Sequence, residues 1–172
     1  MAVKRVRRLS NEDAAYLAGL IDGEGTITLS HRHANERRHL VVSISSTERS
    51  LVQWALEASG VGKVTGKRTT SPKHAPGLTY SVSNRQALDL LHQLLPYLRS
   101  YKRQRAELAM EHYRALTPRN GKYTPAMAAA REEFERDFLG IVARTERVAR
   151  DGGPAVLVAE RVRAPRRRQD RY

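Results

Sequence analysis

The sequence predicts an α+β fold in the order αββαββα, with further helices after it. Two observations carry this prediction. Apolar residues first recur at helical spacing between Ser10 and Asp22, then alternate strictly along two pairs of short segments. Within each pair the segments are separated by turn-rich stretches, "HANE" and "TTSPKHAPG", so each pair reads as an antiparallel hairpin.

The first helix starts at a good cap. Ser10 sits at the N-cap with Asp13 in the capping-box position, which opens a helix from Asn11 to about Asp22. Leu17, Leu20 and Ile21 form its core side. Ala15, Ala18, Gly19 and Asp22 follow the i, i+3, i+4, i+7 spacing and are nearly all small, so a second element can approach closely there. In "TITLSHR", Ile27 and Leu29 face inward, while Thr26, Thr28, Ser30 and Arg32 face outward. "RRHLVVSIS" repeats the scheme with Leu40, Val42 and Ile44 inside and Arg37, His39, Val41 and Ser43 outside.

A second helix is expected from Glu48 to about Ser59, with Leu51, Trp54, Ala55 and Ala58 turned inward. The second hairpin places Val64 inward and Thr65 and Lys67 outward. Its return strand, "LTYSVS", alternates Leu78, Tyr80 and Val82 with Thr79, Ser81 and Ser83. The Leu-rich helix "NRQALDLLHQLLPYL" is interrupted near Pro96, and a basic helix begins around Tyr101. Further on, "TPAMAAAREEFERDFLGIVARTERVARD" reads as one amphipathic helix. The expected organisation is a basic N-terminal arm over 1–9, one domain with its C-terminal helices over 10–150, and a basic, flexible tail over 151–172.

Composition narrows the partners. The 172 residues carry 31 Lys and Arg against 18 Asp and Glu, a formal charge of +13. Such a field favours a polyanion, nucleic acid before a membrane surface. The excess is mostly Arg, which suits bidentate phosphate and guanine contacts. Both hairpins expose Thr, Ser, His, Lys and Arg with no acid among them, whereas a merely solvated face mixes both signs. The absence of cysteine excludes disulfides, thiolate zinc sites and thiol nucleophiles. No apolar signal-peptide core follows the basic start and no run is long enough to span a bilayer, so a cytoplasmic (nucleoid) or organellar location is expected. His31, His33 and His39 lack a cysteine or nearby acid to complete a metal site, and base or phosphate contact is the better reading.

The stretch "LAGLIDGEG", Leu17 to Gly25, places two carboxylates, Asp22 and Glu24, on the negative end of a helix, where the backbone dipole disfavours them. It matches the LAGLIDADG motif in seven of nine letters, departing at Gly23 and at Glu24, where the carboxylate is kept. Together with the αββαββα order, it resembles the LAGLIDADG homing endonucleases over about residues 10 to 116. A faint echo at "FLGIVARTE" lacks the terminal glycines and reads as plain helix.

The resemblance implies a saddle-shaped antiparallel sheet lying in the DNA major groove. With a single motif per chain it also implies a homodimer packed through Ala15, Ala18, Gly19 and Asp22, and a pseudo-palindromic double-stranded target. Each motif helix would deliver a carboxylate to Mg²⁺, with Mn²⁺ able to substitute and Ca²⁺ non-catalytic. Glu24 is the expected metal ligand, helped by the Gly23 carbonyl. Glycines on both sides of Glu24 would let a phosphate backbone approach. Asp22 either assists or caps local backbone donors. Ser46 aligns with a solvent-positioning polar residue of the family, or serves as a helix cap. Lys102, in preference to Tyr101, takes the place of the family's lysine near the phosphate. Thr28, Ser30, Arg32, Arg37, His39, Ser43, Thr65, Lys67, Thr79 and Ser81 are the candidate DNA contacts. The implied activity is hydrolysis of both strands by the product of a mobile intron. The rival is an intron RNA maturase or a non-cleaving DNA-binding regulator of the same fold.

Overall fold

Helix α1, Asn11–Glu24, is capped by the Ser10 hydroxyl, which accepts from the Asp13 amide. A computed structural model describes residues 4–33, 36–66, 77–147 and 156–159. The core side of α1 is Ala14, Leu17, Ala18 and Ile21, all buried at the i, i+3, i+4, i+7 spacing. This corrects the sequence reading, which set Ala18 on the free small face: Ala18 is fully buried in the chain's own core.

Strands β1 (Gly25–Ser30), β2 (His39–Ser46), β3 (Lys63–Gly66) and β4 (Leu78–Ser83) form one antiparallel sheet in the order β1-β2-β4-β3. Ile27, Leu29, Leu40, Val42, Ile44, Tyr80 and Val82 point into the core as the alternation predicts. Helices α1, α2 (Arg49–Ser59) and α3 (Asn84–Leu94) complete the αββαββα order, and α4 (Tyr101–His112) and α5 (Pro125–Gly140) follow. Leu88, Leu90, Leu91 and Leu94 of α3, Ala106 and Ala109 of α4, and Phe134 and Phe138 of α5 join the same core. Among the described residues no buried side-chain nitrogen or oxygen lacks a hydrogen-bond partner.

Three local readings change. The core-facing positions of α2 are Val52, Ala55 and Ser59, which turns Leu51 and Trp54 toward the flank. Trp54 is half-buried, and its ring packs edge-on to Tyr16 at 4.9 Å. Arg32 and Arg37 lie in the loop between β1 and β2 rather than on the strands, and the Arg37 guanidinium stacks over the Tyr123 ring at 4.4 Å. The long helix expected to run past residue 140 stops at Gly140.

The basic N-terminal segment is pinned from Lys4 onward. Gln86 donates to the Lys4 carbonyl, and Gln93 both donates to the Arg7 carbonyl and accepts from the Leu9 amide. The Arg7 amide donates to the Ser59 carbonyl at the end of α2. The chain divides into two compact units, 1–141 and 142–172. In the second unit, β5 (Arg144–Arg147) and β6 (Val156–Ala159) pair antiparallel.

Candidate nuclease site and sheet face

The end of α1 is held by charge brought from elsewhere in the chain. The helix carries no basic residue in its last turn. Lys102, in the first turn of α4, supplies the missing cation: its Nζ donates to the Ile21 carbonyl at 2.7 Å and the Asp22 carbonyl at 2.9 Å. An ammonium on the last carbonyls offsets the negative end of the dipole. The residue is only 6% exposed. Burial lowers its pKa below the ordinary lysine value, the nearby Arg105 pushes it the same way, and the carboxylates of Asp22 and Glu24 oppose the shift.

The two carboxylates of the motif have different surroundings. Asp22 accepts from the Arg99 amide at 2.7 Å and, through its other oxygen, from the Ser100 hydroxyl at 2.6 Å and amide at 3.3 Å. Its acceptor positions are thus spent on the turn that starts α4, where Ser100 is the N-cap. Of the two roles open to Asp22, capping is the one seen, although the donors come from α4 and not from the end of α1. The same bonds remove Asp22 from the exposed side of α1. Glu24, two residues on, ends the helix with an exposed side chain.

The flanking glycines also differ. A Cβ on Gly25 would lie 2.6 Å from the Ile21 Cα and 2.9 Å from the Ser43 carbonyl oxygen, so Gly25 lets the chain turn from α1 into β1 against β2. The sequence reading gave that glycine to ligand approach; internal packing already requires it. A Cβ on Gly23 would meet nothing within 4 Å, leaving that side of Glu24 open. Gly19 is equally open. Ala15, Tyr16, Gly19 and Gly23 make up the exposed side of α1, and Tyr16, 52% exposed, borders a shallow depression with Leu51 and Trp54.

Ser46 ends β2 with its hydroxyl accepting from the Glu48 amide, a cap on the approach to α2. Arg105 is buried beside Lys102. It donates to the Ile27 and Ile141 carbonyls and thereby ties β1 to the end of α5. The sequence reading did not single it out, since a buried Arg on a basic helix looks like any other until its partners are known.

The outer face of the sheet is a grid set by register. Its cross-strand rows are Thr26–Ser43–Ser81–Lys63, Thr28–Val41–Ser83, Ser45–Thr79–Thr65 and Ser30–His39. Thr28, Ser30, His39, Ser43, Thr65, Thr79 and Ser81 therefore share one face. Lys67 lies outside the described residues. Lys63 joins the face and was legible in the sequence, having the same parity as Thr65. Burial lowers the His39 pKa, with Arg32 and His31 adding to the effect and Glu36 and a bond to the Ser30 backbone opposing it.

No protein-family model matches the sequence, and no curated protein matches it either. Solved structures do. The homing endonuclease I-CvuI in complex with the I-CreI target superposes with a TM-score of 0.62 at 20% identity, covering 78% of this chain and 85% of that one. The archaeal intron-encoded homing endonuclease I-Vdi141I complexed with DNA gives 0.60 at 17% identity, covering 81% and 88%. The I-SmaMI LAGLIDADG homing endonuclease bound to cleaved DNA gives 0.57 at 15% identity, with 78% of this chain and 46% of that chain covered. The chain has the LAGLIDADG homing-endonuclease fold. In that fold α1 is the LAGLIDADG helix, and the held, open end of this helix carries Glu24 beside the polar sheet face.

Proposed function

We propose that the chain is a metal-dependent, site-specific DNA endonuclease that acts as a homodimer and cuts both strands of a pseudo-palindromic target. The observation that carries the reading is the end of α1. A fixed helix terminus presents one free carboxylate, Glu24, while the neighbouring Asp22 is consumed by structure. The solved structures of the same fold are homing endonucleases on DNA, among them I-CvuI in the presence of 2 mM Mg, with the DNA not cleaved, and of 2 mM Ca.

Among the described residues no three His, Asp or Glu side chains stand together as a metal site. One copy supplies a single open carboxylate and the Gly23 carbonyl. That donor set fits Mg²⁺, which commonly binds through one or two carboxylates plus phosphate oxygens and water. A second copy of Glu24 and the DNA would complete it. When bound, such an ion supplies an activated water and offsets charge on the leaving oxygen. Lys102 keeps the helix end in place and adds positive potential beside the phosphate; Ser46 shapes the rim at the end of β2.

The exposed side of α1 supports the homodimer. Ala15 and Gly19 leave room for a second α1, and Tyr16 with Trp54 provides apolar area at its flank. The sheet face would lie in the major groove of one half-site, with Arg32 and Arg37 near its phosphates. A mobile-intron origin accords with the intron-encoded relative.

The test incubates purified protein with a pooled library of intron-insertion-site DNAs in Mg²⁺ and sequences the ends. Discrete double-strand cuts that vanish with Glu24→Gln are expected. Specific binding without cuts in any divalent metal would refute the nuclease.

A further inference from the structure

One position on the outer face of the sheet departs from its surroundings. Among the described residues the grid of outward side chains is hydroxyl-bearing nearly throughout, with His39 and Lys63 at its margins and a single hydrocarbon, Val41. Val41 is on β2, paired with Thr28 on one side and Ser83 on the other. Its chain neighbours Leu40 and Val42 are fully buried in the core, whereas Val41 is partly exposed on the opposite face. Core packing does not account for a valine there.

We infer that Val41 is a specificity-determining residue that reads the C5-methyl group of a thymine in each half-site. The inference rests on the proposal that this face meets DNA, and it follows from Val41 being, among the described residues, the outward side chain without a polar atom. A serine or threonine hydroxyl both donates and accepts, so it suits nearly any base edge, and a threonine's one methyl stands beside that hydroxyl, whereas Val41 presents hydrocarbon alone. The thymine methyl is the only apolar group on a major-groove edge, and an apolar side chain is its natural complement. Hydroxyls on side chains this short reach base edges only if the backbone of the sheet comes close. At that distance the Val41 methyls, which stand as high as the γ-methyl and hydroxyl of Thr28, touch the groove floor as well. Any other base would press a polar edge against Val41 and leave it without water or a partner.

The expected size is that of one buried methyl group, roughly a three- to fivefold preference per half-site. The test selects binders from two randomised duplex pools, one containing thymine and one with uracil throughout in its place. Uracil keeps every hydrogen-bonding group of thymine and lacks only the methyl. Wild-type protein should enrich thymine at a position in each half-site and lose that preference in the uracil pool, while its preferences for the other bases persist. Val41→Ser should lose the same preference in the thymine pool. The uracil arm uses unmodified protein, so it holds even if the variant folds poorly. Equal enrichment of uracil and thymine at every position, or an unchanged preference in folded Val41→Ser, would overturn the role of Val41 alone. If wild-type protein enriches nothing from either pool, the DNA-reading proposal beneath it fails too.

Discussion

Lys102 and Ile21, 81 residues apart in sequence, meet where the Lys102 ammonium donates to the Ile21 carbonyl at 2.7 Å. The bond gives the last turn of α1 a cation that its own sequence lacks. Lys102→Met keeps most of the buried stem and removes the donor from two carbonyls, so it should cost roughly 1–3 kcal/mol of stability. Urea denaturation reads this directly. An unchanged midpoint would mean that the ammonium does not hold the helix end.

Asp22 and Glu24 should separate stability from activity. Asp22→Ala strips acceptors from Arg99 and Ser100 and should cost roughly 1.5–3 kcal/mol, typical of hydrogen bonds to a charged group. Glu24→Gln should move the unfolding midpoint little, since relief at the negative end of the helix is offset by the lost attraction to the Lys102 ammonium. The same change should abolish cleavage. A loss of stability in Glu24→Gln matching that of Asp22→Ala would contradict this division of roles.

Two glycines of α1 and its exit give opposite outcomes. Gly25→Ala forces a Cβ against backbone atoms of Ile21 and Ser43 that cannot swing away, and a loss of about 2 kcal/mol or more is expected in thermal unfolding. Gly19 has open space around it, so Gly19→Leu should leave the monomer folded and destroy only association. Sedimentation velocity distinguishes the two, and a persisting Gly19→Leu dimer would place the interface elsewhere.

Much of this was legible beforehand because periodicity reports burial. The alternation of Ile27 and Leu29, and of Leu40, Val42 and Ile44, reads the sheet directly, and Ser10 marks the start of α1. Pairing between distant positions was less visible. Nothing local says that Lys102 reaches the end of α1, that Asp22 serves Ser100, or that Gly25 passes Ser43. Ala18 was misassigned because a small residue fits a helix contact and a core equally well. The stretch after Gly140 looked helical because Arg, Ala and Glu favour helices; the pairing of β5 with β6 overrides that preference.

Lys63 extends the basic character of the sheet face to its outer strand. If it contacts one phosphate per copy, Lys63→Ala in a dimer should flatten the slope of log K against log salt by about 1.8, at roughly 0.9 per contact. Binding isotherms between low and physiological salt would measure it. An unchanged slope would remove β3 from the DNA surface.

His39 predicts two trends with pH that run in opposite directions. Its pKa in the fold lies below the ordinary value of 6.5, chiefly because burial disfavours the imidazolium. Between the folded and the unfolded pKa the unfolded chain holds more protons, so stability rises with pH through that interval. Above 6.5 both states are neutral and the contribution is flat; below the folded pKa the full penalty is present. Acidification through 6.5 should therefore weaken the fold slightly. DNA reverses the sign, because phosphates near the sheet face favour the imidazolium and binding takes up a proton. Affinity should rise over the same interval. His39→Gln should reduce both slopes, read from urea midpoints and binding isotherms at matched salt. Loss of the stability slope alone would show that His39 is buried as described but stands away from the DNA.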